Sequence, residues 1–385
     1  MENQRQSLEL ADIFRFHERE FLSNNELHPH QLKAWDAIAT CRTAELGGHI
    51  EQCDSCGHTR QAYNSCRNRH CPKCRFVKTH QWVDKLAGKI PPGRQFHLVF
   101  TIPACLRKLF YINQKRAYSL LFGAAWKTLE QTAKNPKHFG KNIGAVGILH
   151  TWGQTLVYHP HIHFIVPAGG LDDDCMEWTP TSKHFFLCVK TLSKVFRGIL
   201  LRMIEKDIQS EQMKLPDDIE NITQLKQLCY AKNWVVYCEK PFSDSGSLMK
   251  YLGSYSHRVA LSNNRILSHS NGKVTFSYKD YKSAGITRNI TLKADEFIRR
   301  FLQHVLPTGF YKVRYFGFMA MRNMSTKLEQ CFALISKDSY LPVLVGLKSI
   351  EVWRHITNRD PLQCAKCKTG KMKVVHTIIV NKDWG

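Results

Sequence analysis

Apolar residues near the start of the chain recur at helical spacing through Leu8, Ile13, Phe14, Phe21 and Leu22. That pattern predicts a first helix, and Pro29 opens a second through Gln31, Ala34 and Trp35, ending near Cys41. After Pro91-Pro92-Gly93 the period changes: Phe96, Leu98, Phe100 and Ile102 alternate with His97, Val99 and Thr101, which predicts a strand. A helix is expected from about Ile112 to Lys134, where Asn135-Pro136 stops it. Two strands follow, Ala145 to Trp152 and His161 to Val166, joined by a short connection as a hairpin and closed by Gly169-Gly170. Leu192, Val195, Phe196, Ile199, Leu200 and Met203 form the apolar stripe of a helix from Thr191 to Ile208 that covers one sheet face. Polar residues 209 to 224 read as a surface loop, Trp234 to Glu239 as a strand and Ser247 to Arg258 as a helix. Asn271-Gly272, between Ile266 and the alternating Val274, Phe276 and Tyr278, predicts a two-residue hairpin turn. Beyond Asp295 the pattern is helical again.

Helices beside a central, mostly antiparallel sheet make the fold class α+β, preceded by a helical N-terminal region. At about 150 residues per domain, 385 residues imply two or three domains. The expected division is 1–90 (helical and cysteine-bearing), 91–290 (the sheet domain) and 291–385 (helical, with a lone Cys-x-x-Cys).

Charge changes the picture. Lys and Arg number 55 against 32 Asp and Glu, a formal net charge of +23 in a chain whose 43% hydrophobic content is that of a folded protein. A polyanion is the expected partner. No run of 18 apolar residues crosses a membrane, and Met1-Glu2-Asn3-Gln4-Arg5-Gln6 is not a secretory start, so the expected location is cytoplasmic and nucleoid-associated. In that compartment 14 cysteines read as metal ligands rather than disulfides.

Cys53-x-x-Cys56 and Cys71-x-x-Cys74 have the spacing of two knuckles that together hold one tetrahedral Zn²⁺. Cys41, His49, Cys66 and His70 lie around them and make a candidate second zinc site. Cys364-x-x-Cys367 stands without a second pair, as half of a knuckle. Arg67, Arg69, Lys73 and Arg75 are interleaved with the ligands, the pattern of a metal-held module that grips nucleic-acid phosphates.

In His159-Pro160-His161-Ile162-His163-Phe164, His161 and His163 share one face of a strand whose other face is apolar. Two imidazoles on so rigid a platform can chelate one ion. The third ligand is open among His150, Gln154, His97 and His159, with Gln154 preferred. His28-Pro29-His30 has the same spacing but opens a helix, where side chains two apart diverge.

The predicted helix from Ser247 places Tyr251 and Tyr255 one turn apart, with Arg258 on the same face. A phenol, with a pKa near ~10, is a weak nucleophile, and a divalent cation on the histidine strand would favour its attack on a phosphate.

Four motifs in this order, Asn64-Ser65-Cys66-Arg67-Asn68-Arg69-His70-Cys71-Pro72-Lys73-Cys74, His150-Thr151-Trp152-Gly153-Gln154, His159-Pro160-His161-Ile162-His163 and Tyr251-Leu252-Gly253-Ser254-Tyr255-Ser256-His257-Arg258, resemble the rolling-circle transposases of the insertion sequence 91 family. Val305-Leu306-Pro307-Thr308-Gly309-Phe310 and Arg314-Tyr315-Phe316-Gly317 are similar as well. The resemblance implies a two-tyrosine His-hydrophobe-His nuclease fold acting on single-stranded DNA at the ends of a mobile element. It implies Mg²⁺ or Mn²⁺ at His161 and His163, nucleophilic attack by Tyr251 and Tyr255, a 5′-phosphotyrosine intermediate and a free 3′-OH. Self-association into a homo-oligomer is compatible with it. Two rival readings use the same residues: a triple-histidine nucleotide hydrolase built on His159, His161 and His163, and a non-catalytic zinc-dependent DNA-binding regulator.

Overall fold

The structure, a computed structural model, describes residues 8–133, 141–181, 188–242, 260–335 and 339–380. In chain order the principal elements are α1 (Leu10–Asn24), α2 (Pro29–Ala39), β1 (Gly48–Cys53), β2 (Thr59–Tyr63), α3 (Phe76–Ala87), β3 (Gln95–Thr101), α4 (Arg107–Ile112), α5 (Gln114–Ala133), β4 (Gly144–Trp152) and β5 (Tyr158–Pro167). Then come β6 (Gly169–Leu171), β7 (Trp178–Pro180), α6 (Val189–Gln209), α7 (Ile222–Tyr230), β8 (Val235–Phe242), β9 (Ile266–Ser270), β10 (Lys273–Asp280) and β11 (Ile286–Lys293). The chain continues through α8 (Ala294–Leu302), β12 (Val313–Gly317), α9 (Glu329–Ile335), α10 (Ser349–Thr357) and β13 (Met372–Ile378). The α+β expectation holds: antiparallel sheets flanked by helices, with a helical, cysteine-bearing region at the start.

The central sheet has the order β12-β4-β5-β3-β8, and every pair in it is antiparallel. Strict alternation divides its faces. Leu98 and Phe100 of β3, Leu149 of β4 and Ile162 and Phe164 of β5 point one way and are sealed by α5 and α6 through Phe122, Phe196 and Leu200. The other face is apolar at one end, where Val146, Ile148 and Ile165 pack beneath Val83, Leu86 and Phe318. At its other end it carries His150, His161 and His163.

The helix expected over 112–134 is α5, and Asn113 separates it from the short α4. The side chain of Asn113 donates to the Leu109 and Lys214 carbonyls and accepts from the Lys214 N–H, which ties the break to the 209–224 loop. The predicted turn at Asn271-Gly272 is present, both residues having the positive φ (49° and 66°) that a two-residue hairpin of this twist requires. That hairpin belongs to a meander, β9-β10-β11, which shares a second core with α1, α2 and α8. In this core Phe14 stacks on Trp35 at 4.4 Å and meets Phe301 edge-on.

Residues 291–385 depart from the helical expectation. β12 forms an edge of the central sheet, and β13 pairs with β1 in a third sheet, β13-β1-β2. Neither strand is independent: β12 is short and half-buried, and β13 exposes most of its side chains, so neither shows strong apolar alternation. Each becomes a strand by supplying backbone hydrogen bonds to an existing edge.

Gly317 closes β12 at φ +58°, and a Cβ there would collide with the Ile143 carbonyl, which accepts the Phe318 N–H at 3.2 Å. Gly317→Ala is therefore expected to destabilise the fold by about 2–5 kcal/mol, from left-handed strain plus displacement of β4, read as a lower midpoint of urea unfolding.

Candidate active site and metal centres

The cysteines fall into two groups of four. Cys41, Cys66, Cys71 and Cys74 come together, with Sγ–Sγ separations of 3.3 Å (Cys41–Cys74), 3.6 Å (Cys66–Cys74) and 3.6 Å (Cys71–Cys41). Cys53 and Cys56 meet Cys364 and Cys367, with 3.7 Å between Cys53 and Cys367 and 3.8 Å between Cys56 and Cys364. Four thiolates about 2.3 Å from one tetrahedral zinc lie about 3.8 Å apart, whereas a disulfide needs about 2.05 Å. Both groups thus have the donor set and spacing of a structural zinc site.

The sequence pairing is corrected on two counts. Cys53 and Cys56 do not join Cys71 and Cys74, because β1 leads the first knuckle into pairing with β13, where Cys53 lies opposite Met372. The second pair finds Cys41 and Cys66 instead. His49 and His70 join neither group: His49 faces Glu51 at 3.3 Å, and His70 Nε2 accepts from the Leu306 N–H and from Arg69 Nε. The Cys364–Cys367 pair completes the first knuckle. N–H groups of Ser55 and Gly370 point at the sulfurs of Cys53 and Cys367, and a Cβ on Gly370 would press on Cys53 Sγ, so only glycine lets the two knuckles close.

The basic residues between the ligands are divided as well. Arg69 donates to the carbonyls of Leu306, Pro307 and Phe310 and so clamps that loop to the cysteine module. Lys73 pairs with Glu9. Arg67 is exposed and Arg75 is half-buried.

On the central sheet His150 lies directly opposite His161 in the β4–β5 register, and His163 is two residues further along the same face. One nitrogen from each of the three lies within 4.8 Å of the others. One hydrogen bond sets a tautomer: the Nδ1–H of His161 donates to the His159 carbonyl at 2.6 Å, which leaves Nε2 of His161 to bind. His163 Nδ1 lies 2.9 Å from His97 Nε2, and with Nδ1 as the donor its Nε2 is likewise left to bind. Burial lowers the His161 pKa to about 4, and burial with the neighbouring His150, His161 and His97 holds that of His163 well below its usual value. The imidazoles are neutral at pH 7, the form that ligates metal. His150 is braced by Trp152, whose ring stacks on it at 4.8 Å.

Gln154, the preferred third ligand, is turned away. It sits in the 153–157 turn, where its carbonyl accepts from Arg265 and its side-chain oxygen from the Lys279 N–H of β10. His150 takes its place, and the signal for it was the hairpin register, which sets it across from His161. His159 is held aside by Arg107, which donates to its Nδ1 at 3.2 Å. Tyr251, Tyr255 and Arg258, and the helix expected to carry them, lie outside the described residues.

A family model described as "Putative transposase" matches residues 144–327, spanning β4, β5 and β12, and one described as "Transposase zinc-binding domain" matches residues 13–102. The chain is 39% identical over 374 residues to "Putative transposase y4qJ" of Sinorhizobium fredii strain NGR234, with 94% of each chain covered. The chain belongs to the insertion sequence 91 family of transposases. A transposase for insertion sequence element IS801 from Pseudomonas savastanoi pv. phaseolicola is 28% identical over 355 residues, covering 90% of this chain and 84% of the relative. No solved structure matches the transposase. None of its described helices is long and apolar enough to cross a membrane.

Two outcomes follow for the transposase. Zinc analysis is expected to give two ions per chain, and Cys364→Ser with Cys367→Ser should remove one of them; an unchanged zinc content would mean that Cys53 and Cys56 find other partners. Next to the histidine platform, buried His304 donates Nε2–H to the Leu156 carbonyl and lies beside the Thr151 hydroxyl, with burial lowering its pKa to about 4. The unfolded chain, with imidazoles near ~6.5, takes up that proton first, so stability is full above about pH 6.5 and falls as the pH drops toward 4. Buried His161 and His163 add to the loss over the same interval, so a thermal melting series is expected to show it and His304→Gln to reduce it by one group's share.

Proposed function

We propose that this transposase nicks and rejoins single-stranded DNA at the ends of its mobile element by tyrosine transesterification, driving rolling-circle transposition. The observation that carries the reading is the convergence of His150, His161 and His163 on one face of two paired strands. A divalent ion held there supplies charge neutralisation and polarisation at a scissile phosphate. Of Mg²⁺ and Mn²⁺, three imidazoles favour Mn²⁺, because Mg²⁺ prefers oxygen ligands.

The chain's own residues do the rest. His97 and the His159 carbonyl fix the ligand rings, so the phosphate is met by a platform that needs no rearrangement. Tyr251 or Tyr255 attacks the phosphorus and gives up its phenolic proton to solvent, the P–O3′ bond breaks with its electron pair on the 3′ oxygen, which takes a proton from solvent to become a free 3′-OH, and the DNA 5′ phosphate remains esterified to the phenol. The ester conserves the bond energy, so a 3′-OH can reverse the step on another strand. A second tyrosine lets a second transfer begin before the first end is released. Two zinc ions, one on Cys41, Cys66, Cys71 and Cys74 and one on Cys53, Cys56, Cys364 and Cys367, support the module expected to grip the DNA, with Arg67 and Arg75 as its contacts and Arg258 beside the tyrosines. Arg107, by holding His159 aside, favours this reading over a triple-histidine hydrolase.

The test is incubation with single-stranded DNA carrying the element's ends and Mn²⁺, followed by denaturing electrophoresis. A covalent protein–DNA adduct is expected, lost in the Tyr251→Phe, Tyr255→Phe double variant. His161→Ala with His163→Ala should retain DNA binding and lower cleavage by about 100- to 1,000-fold. An adduct that survives in the double tyrosine variant would overturn the nucleophile assignment.

A further inference from the structure

A cavity of about 220 Å³ lies where the cysteine module, the end of the central sheet and the loop after α8 meet. One wall is cationic, Arg75 and Lys312, and another is aromatic, Trp152, Phe310 and Tyr311. No carboxylate is among the described residues that line it, and among those residues the Lys312 ammonium has no ion-pair partner. Its neighbouring cations are Arg75 and Arg69, and burial beside them lowers its pKa to about 7. Burying the Lys312 ammonium beside like charges, with no carboxylate in the described lining, is unfavourable unless an anion enters. Arg69 is not available for that purpose, since its guanidinium is bonded to the carbonyls of Leu306, Pro307 and Phe310; it keeps the wall in place.

The aromatic side sets the class of anion. Trp152 lines the cavity and also stacks on His150, so the recess and the histidine platform are separated by a single ring. Tyr311 is 79% exposed and stands at the mouth, where an unpaired apolar ring has no role in the core. Cations for a phosphate together with ring faces for a base are what a nucleotide of a single strand requires.

We propose that this cavity receives one nucleotide of the single-stranded substrate, unstacked from its neighbours, next to the phosphate held at the histidines. Its phosphate lies against Arg75 and Lys312 and its base against Trp152 and Tyr311. The inference rests on the single-strand reading above and adds to it a subsite. A base within a duplex reaches such a recess only by extrusion, so the cavity selects against duplex DNA.

The experiment uses the full chain and a fluorescent single-stranded oligothymidine of about 20 nucleotides, enough to span several base sites, with some thymines replaced by photoreactive 5-iodouracil. Irradiation and peptide mapping are expected to place adducts on Trp152, Phe310 or Tyr311. Thymidine monophosphate should displace them, and inorganic phosphate at equal ionic strength should not. Tyr311→Ala should weaken binding about fivefold or more. Lys312→Gln should reduce the log–log salt slope by about 0.7, one phosphate contact. Zinc content and melting midpoint serve as folding controls, and Tyr311, being exposed, tolerates truncation.

Adducts confined to other surfaces, or no binding, would overturn the proposal. So would equal displacement by inorganic phosphate, which would make the recess a plain anion site. Phosphotyrosine formation is measured in parallel on the wild-type chain with Mn²⁺ and single-stranded DNA carrying the element's ends. An adduct there without labelling of the recess sinks the subsite alone, and labelling without that adduct sinks the tyrosine chemistry alone.

Discussion

The register of β5 between β4 and β3 is the constraint on which the rest depends. Ile162 and Phe164 are fully buried against α5 and α6, and because side chains alternate, their burial obliges His161 and His163 to face the other way. A slip of one residue would drive imidazoles into the hydrocarbon core and expose Phe164. The same register sets His150 opposite His161. The geometry of the histidine group is thus enforced by apolar packing on the reverse side of the sheet, which supplies far more stabilisation than the hydrogen bonds among the histidines.

A second theme is that cationic residues here are not interchangeable. Arg69 holds the loop from Leu306 to Phe310, Lys73 pairs with Glu9, and Arg314 lies over the rings of Phe122 and Phe310 while donating to Ser119. These groups are joints between segments remote in sequence. The net charge of +23 therefore overstates what is free to meet a polyanion, and position decides: Lys312 borders a cavity without a carboxylate in its described lining, whereas Arg69, though it borders the same cavity, is committed to backbone carbonyls.

Local features were legible in the sequence, and features made by distant partners were not. The strand from Phe96, the β4–β5 hairpin, the long amphipathic helix over Leu192 to Met203 and the Asn271-Gly272 turn each follow from a period or a φ preference within a few residues. His161 and His163 were legible for the same reason. The sorting of eight cysteines into two groups was not, because Cys53 finds Cys367 only through the pairing of β1 with β13, and spacing along the chain carries no trace of that. Gln154 was misplaced by proximity in sequence: it is close to the histidine strand along the chain but sits in the turn, where Arg265 and β10 hold it. β12 escaped notice because an edge strand is defined by the edge that it joins.

The group formed by Cys53, Cys56, Cys364 and Cys367 has a consequence for biosynthesis. Its two halves are separated by 308 to 314 residues, so the first knuckle must wait, with two thiols unmatched, while nearly all of the intervening chain is made. The other cysteine group has all four ligands once Cys74 has emerged, although the core it packs in waits for β9–β11 and α8. A ribosome that stops before residue 367 releases a chain with one finished cysteine group and one half-built, marked by an unpaired β1 edge and reactive sulfur. The late site can therefore close only after the entire sheet domain has been translated, and until then its thiols lack the partners that would share a metal with them.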